Sequence, residues 1–200
     1  MTRRMLMLAT ALALLGASAA AAQTGTRLRG TIVALQGSAL HLQETGGTEV
    51  AVTLSPAPTV TALVPAKLAD VTPGSFIGAA AETAPDGRLV AREVHIFPEA
   101  MRGTGEGHRA FDLGPRSTMT NGTVGNEVKG ASGDTLTVAY KGGEKTIVVP
   151  GDAPVVSFAP GDRAMLVPGA HVIVQAQKGP DGTLTADRVT VGKDGLVPPM

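Results

Sequence analysis

Pro85-Asp86-Gly87-Arg88-Leu89-Val90-Ala91-Arg92-Glu93-Val94 returns later in the chain as Pro180-Asp181-Gly182-Thr183-Leu184-Thr185-Ala186-Asp187-Arg188-Val189. Both copies join a turn to an alternating strand. Proline pre-sets the first turn position, aspartate tolerates the next, and glycine takes the positive-φ site, so each copy should close an antiparallel hairpin. Alternation along Thr183-Leu184-Thr185-Ala186 puts one face inward and the other in water. Working outward, Gly30-Thr31-Ile32 matches Gly122-Thr123-Val124, Leu40-His41-Leu42 matches Leu136-Thr137-Val138, Pro58 matches Pro154, and Pro73-Gly74 matches Pro168-Gly169. The pattern is a duplicated module, and a repeat of this length decides for two small units over one medium one.

Strand signatures fall at 30–35, 39–43, 49–54, 75–81 and 89–96 in the first copy, and at 122–128, 135–140, 145–149, 170–177 and 184–191 in the second. Glycine pairs and Pro-Asp-Gly separate them. The third and fourth strands are joined by segments without simple alternation, 57–72 and 153–167, where prolines leave room for one helical turn near 66–70. Five strands with an insertion after the third is the arrangement of an OB-type barrel. The expected architecture is therefore all-β: two tandem five-stranded OB-like barrels joined by a partly ordered linker, after an N-terminal signal peptide. Boundaries fall at 1–22 for the leader, 27–97 for the first barrel, 98–120 for the linker, 121–192 for the second barrel and 193–200 for a tail.

The leader reading rests on Arg3 and Arg4, an apolar run from Met5 to Leu15, and Ala20-Ala21-Ala22 before Gln23. It implies a periplasmic protein. The apolar run falls short of the roughly 20 residues a membrane span needs, and charges or prolines interrupt every later stretch, so no integral span is expected. The chain has 0 cysteines, which removes disulfides and thiolate metal sites from so small a pair of cores. Of 17 basic residues Arg3 and Arg4 belong to the leader, leaving 15 against 17 acidic ones. With 1 Tyr, 4 Phe and 0 Trp besides, neither phosphate neutralisation nor base stacking is provided for, and nucleic acid is not an expected partner.

The order Gly-Thr-Val, Gly-x-x-Leu-x-Val, a glycine hairpin, Pro-Gly before a Val/Ile strand, and Asp-Gly-x-Leu-x-Ala-x-x-Val resembles a bacterial domain-of-unknown-function family of exported OB-like modules. The tandem form resembles proteins often labelled metal ABC transporter permease. A permease needs several spans, and the sequence offers none.

Chemistry concentrates in the linker. A plain spacer has no use for Met101, Phe111, Leu113 and Met119, which could pin it across both barrels. The candidate binding surface is Arg102, Glu106, His108, Arg109, Phe111, Asp112 and Met119, open to a small ligand or an envelope protein. A packed connector is the competing reading. No cofactor is expected, with one alternative: His108, Glu106 and Asp112 set imidazole and carboxylates on a glycine-rich loop that suits a divalent metal, as in a metal-handling accessory protein. Met101 and Met119 would favour copper(I) if both faced His108. Gly103-Thr104-Gly105-Glu106-Gly107 lacks the strand and helix of a dinucleotide fingerprint and the lysine of a P-loop. Ser117, Thr118 and Thr120 stand near His108 and Asp112 without a nucleophile elbow, so no enzyme is expected. His41 and His95 alternate with apolar neighbours and read as solvent-facing; His171 opens a strand. The functional expectation is a non-catalytic binding module of the envelope, with metal handling or a purely structural spacer role as alternatives.

Overall fold

A computed structural model describes residues 24–128, 130 and 134–199; the leader lies outside them, as does part of the 126–133 connection. The described chain is all-β. Its strands are β1 (Thr24–Gln36), β2 (Ala39–Glu44), β3 (Glu49–Ala66), β4 (Phe76–Thr83), β5 (Leu89–Ile96), β6 (Gly107–Ala110), β7 (Ser117–Val128), β8 (Asp134–Tyr140), β9 (Gly143–Val149), β10 (Val155–Pro160), β11 (His171–Lys178) and β12 (Leu184–Gly192). The repeated turns form as their residues dictate. Asp86 Oδ1 accepts from Arg88 N at 3.1 Å and Asp181 Oδ1 from Thr183 N at 3.1 Å, while Gly87 and Gly182 both sit at φ 85°. Each closes an antiparallel hairpin, β4 with β5 and β11 with β12.

The hairpins do not close onto the strands that precede them. β11 pairs with β1 and β12 with β3, so β1, β2, β3, β12 and β11 form one closed five-stranded ring. β4 pairs with β7 and β5 with β9, which closes β4, β5, β9, β8 and β7 into another. This corrects the expected division at 27–97 and 121–192: each ring takes three strands from one copy and the final hairpin from the other. The cause lies in the two segments read as loops. β3 runs on through Pro65 to Ala66, and β10 occupies the matching place in the second copy. They lie antiparallel, from Thr61 opposite Pro160 to Ala66 opposite Val155. Two crossing arms thus carry each hairpin away from its own copy. Where β3 must contain Pro56 and Pro58, which lack an N–H, its register with β12 jumps from Leu54–Ala186 to Thr59–Arg188, and the intervening residues leave the ladder. The single turn expected near 66–70 is present as a 3-10 turn, Leu68–Asp70.

Exchange costs the interiors nothing, because the copies carry equivalent apolar positions. One ring buries Leu28, Ile32, Leu40, Leu42, Val52 and Leu54 against Val172, Val174, Ala186, Val189 and Val191. Val124, Leu136, Val138, Ile147 and Val149 fill the other with Ile77, Ala79, Ala81, Ala91 and Val94. The crossing arms add apolar burial of their own, with Leu63 at 0 % and Val156 at 1 % exposure. The linker is shorter than 98–120. It contains β6, which pairs with β7 from Gly107–Asn121 to Ala110–Thr118, and Ser117 to Thr120 already belong to β7.

Candidate functional site

The outer faces of the rings are set against each other, and the site forms between them. On β5, Val94 and Ile96 serve the ring interior, so Glu93 and His95 project outward, followed by Phe97. Opposed strand positions share a face, which adds Gly78 and Ala80 on β4 and Asn121 and Met119 on β7. Facing them are Thr59 and Thr61 on β3, Arg188 and Thr190 on β12, Arg27 on β1 and Gln175 on β11. Phe158 of β10 and Met101, Thr104, Arg109 and Phe111 of the linker complete a cavity of about 210 Å³.

The cavity is aromatic, and the chain has 4 phenylalanines in all. Phe97 and Phe158 stack with centroids 4.9 Å apart, and the edge of His95 meets Phe158 at 5.3 Å. Phe111 lies on the linker side under the Arg27 guanidinium, 5.0 Å from its centroid. Phe76, though not in the lining, packs on Phe97 at 5.5 Å. Every phenylalanine of the protein therefore builds this one place.

Its mouth is cationic. Arg27, Arg109 and Arg188 border both the cavity and an open groove of about 600 Å³ outside it. Asp112 holds Arg27 at 3.0 Å and Arg29 at 2.8 Å. Burial alone would raise the Asp112 pKa, but the hydrogen bond from Arg29 and the charges of Arg27 and Arg29 outweigh it and hold the carboxyl below its ordinary value. Arg109 donates to Gly105 O at 2.7 Å. Among the described residues neither Arg109 nor Arg188 has an ion-pair partner.

Polar atoms in and behind the lining are under-satisfied. Asn121, 5 % exposed, donates from Nδ2 to Thr104 O at 2.9 Å, while its Oδ1 has no hydrogen bond. Glu93 Oε1 and His95 Nε2 lie 3.1 Å apart at 1 % and 2 % side-chain exposure, without hydrogen-bond alignment. Both Glu93 oxygens lack a hydrogen bond. The expectation that His95 faces solvent is thus corrected: β10 pairs parallel with β5 beside it, and Phe158 of β10 and the other ring cover its side chain, an apposition that alternation within β5 cannot reveal.

Of the linker residues singled out from sequence, Arg109, Phe111 and Met119 line the cavity, and Asp112 fixes Arg27 at its edge. Arg102 is a clamp elsewhere: it pairs with Glu99 at 2.6 Å, donates to Gly74 O at 3.0 Å and lies over Phe76. Leu113 is exposed and pins nothing. The proposed metal trio is not brought together. Glu106 accepts from Lys141 N at 2.8 Å, Asp112 is held by its arginines, and His108 turns the other way, its Nδ1 2.8 Å from Thr120 Oγ1 and its ring stacked at 6.3 Å on Tyr140. Burial and the charge of Lys145 lower the His108 pKa. Among the described residues no three His, Asp or Glu side chains gather as metal ligands would. Met101 and Met119 do share a lining, with His95 in place of His108. His95, Phe97, Asn121 and Phe158 escaped the sequence reading. The signal that could have found them is the scarcity of phenylalanine.

The architecture defines an all-β protein with closed five-stranded rings and a cavity between their outer faces. Residues 127–190 match a family described as Domain of unknown function (DUF5666). The match runs from β7 to β12 and so spans strands of both rings. Neither a curated protein nor a solved structure matches the chain. No helix among the described residues is long and apolar enough to cross a membrane.

Proposed function

We propose that this protein is a non-catalytic binding module of the cell envelope, taking a small organic anion with an apolar body into the cavity between its rings. The observation that carries the reading is the convergence of all 4 phenylalanines on one cavity whose mouth is bordered by three arginines. A spacer gains nothing from grouping its aromatic residues beside two unpaired guanidinium groups. Mostly apolar walls with a few directed polar groups are the usual make-up of a small-molecule site. The envelope location rests on the leader-like 1–22.

The aromatic sulfonate 8-anilinonaphthalene-1-sulfonate tests this, since it combines an apolar ring system with a fixed negative charge. Saturable, one-to-one fluorescence enhancement is expected. Arg188→Ala should weaken it by about fivefold, the worth of roughly 1 kcal/mol for a partly solvated charge contact. Phe158→Ala should weaken it by at least about tenfold through lost aromatic contact. Absence of saturable binding to the parent protein overturns the proposal.

A further inference from the structure

The cavity is lined by polar groups of both kinds. Guanidinium groups border the mouth, and a buried hydrogen-bond acceptor without a donor belongs to the lining. Asn121 decides the sign there. Its Nδ2 is committed to Thr104 O at 2.9 Å, so the atom left unpartnered is the carbonyl oxygen. Buried at 5 % exposure, that oxygen calls for a donor that the described protein does not supply.

His95 stands beside it through Gly78, which is the register partner of Asn121 on one side and of His95 on the other. Its Nε2, 3.1 Å from Glu93 Oε1, has no hydrogen bond. Gly78 keeps the place open: a Cβ there would come within 2.8 Å of Asn121 Oδ1 and 3.1 Å of Phe97 Cε2. Phe97 and Phe158 share the lining with this acceptor, and an aromatic face also attracts a cation.

We infer that the occupant is a zwitterion: an organic molecule with an ammonium group directed to Asn121 Oδ1, and a carboxylate or phosphate directed to Arg27, Arg109 and Arg188. This rests on the proposed ligand-binding role, keeps the anionic group that meets the arginines and adds a cationic one to the same molecule. It is tested by calorimetric titration of the full chain with hexanoate, hexylamine and 6-aminohexanoate, beside the sulfonate dye. The amino acid should bind at least tenfold tighter than either singly charged probe. Asn121→Leu should bring its ratio to hexanoate within threefold, in a variant whose melting shows it folded. Equal binding of hexanoate and 6-aminohexanoate by a parent protein that still takes up the dye overturns the zwitterion and leaves the binding role intact. If neither dye nor probe binds, the binding role itself is lost. The parent ratio decides the matter even where a variant fails to fold.

Discussion

At the scale of single residues, His108 shows how a side chain chosen from sequence for metal binding is used instead for local order. Its Nδ1 lies 2.8 Å from Thr120 Oγ1 and its ring stacks on Tyr140, while burial and Lys145 lower its pKa. A histidine whose folded pKa is lowered takes up its proton more readily in the unfolded chain. Stability attributable to it is therefore complete above the unfolded value of about 6.5 and declines as pH falls through it. Nuclear magnetic resonance titration should place the His108 midpoint below that of an unstructured histidine, and Lys145→Met should move it upward. A midpoint unmoved by that change would show that burial alone sets it. The residues at the inter-ring cavity teach a complementary lesson. Arg109, Phe111 and Met119 stood out in sequence because a linker has no evident use for them. His95, Phe97 and Phe158 did not, because an outward strand position reads as solvated until a second ring covers it.

At the scale of elements, ten strands and the repeated turns were legible because each depends on its own residues, whereas β6, β10 and the far end of β3 were not. Period-two apolar patterns and glycine at positive φ need no knowledge of the rest of the molecule. The recurrence of Gly30 and Gly122 has a cause of the same local kind. A Cβ at Gly30 would strike Gln43 O, and one at Gly122 would strike Ala139 O, both backbone atoms of the neighbouring strand that cannot swing aside. Gly87 and Gly182 differ, since their surroundings are open and only their φ of 85° resists a side chain. Alanine at either turn should cost about 1–2 kcal/mol, the strain of the left-handed region. Alanine at Gly30 or Gly122 should cost about 2–4 kcal/mol, because strand pairing must give way. Chemical denaturation of the four single variants would check the order; turn variants as damaging as the strand variants would refute it.

At the scale of the molecule, the choice of partner could not be read from sequence because duplication makes the alternatives locally identical. Ala91 and Val94 can serve a ring as Ala186 and Val189 do, so pattern alone permits each hairpin to close on either copy. Only the arms discriminate. Their extended course past each other, with Leu63 and Val156 buried at the crossing, commits the hairpins to exchange. Cooperativity follows from this connectivity. In unexchanged tandem barrels, loosening one ring leaves the other whole. Here, every ring holds strands of both halves, so opening one frees a hairpin tethered through β3 or β10 to the other. A single calorimetric transition is expected, with calorimetric and van't Hoff enthalpies in agreement. Leu136→Ala, a deletion in the fully buried interior of one ring, should cost about 2–5 kcal/mol and displace the whole transition to lower temperature without splitting it. Two resolved transitions, with only one moved by Leu136→Ala, would mean that the rings unfold separately and that the crossing arms do not couple them.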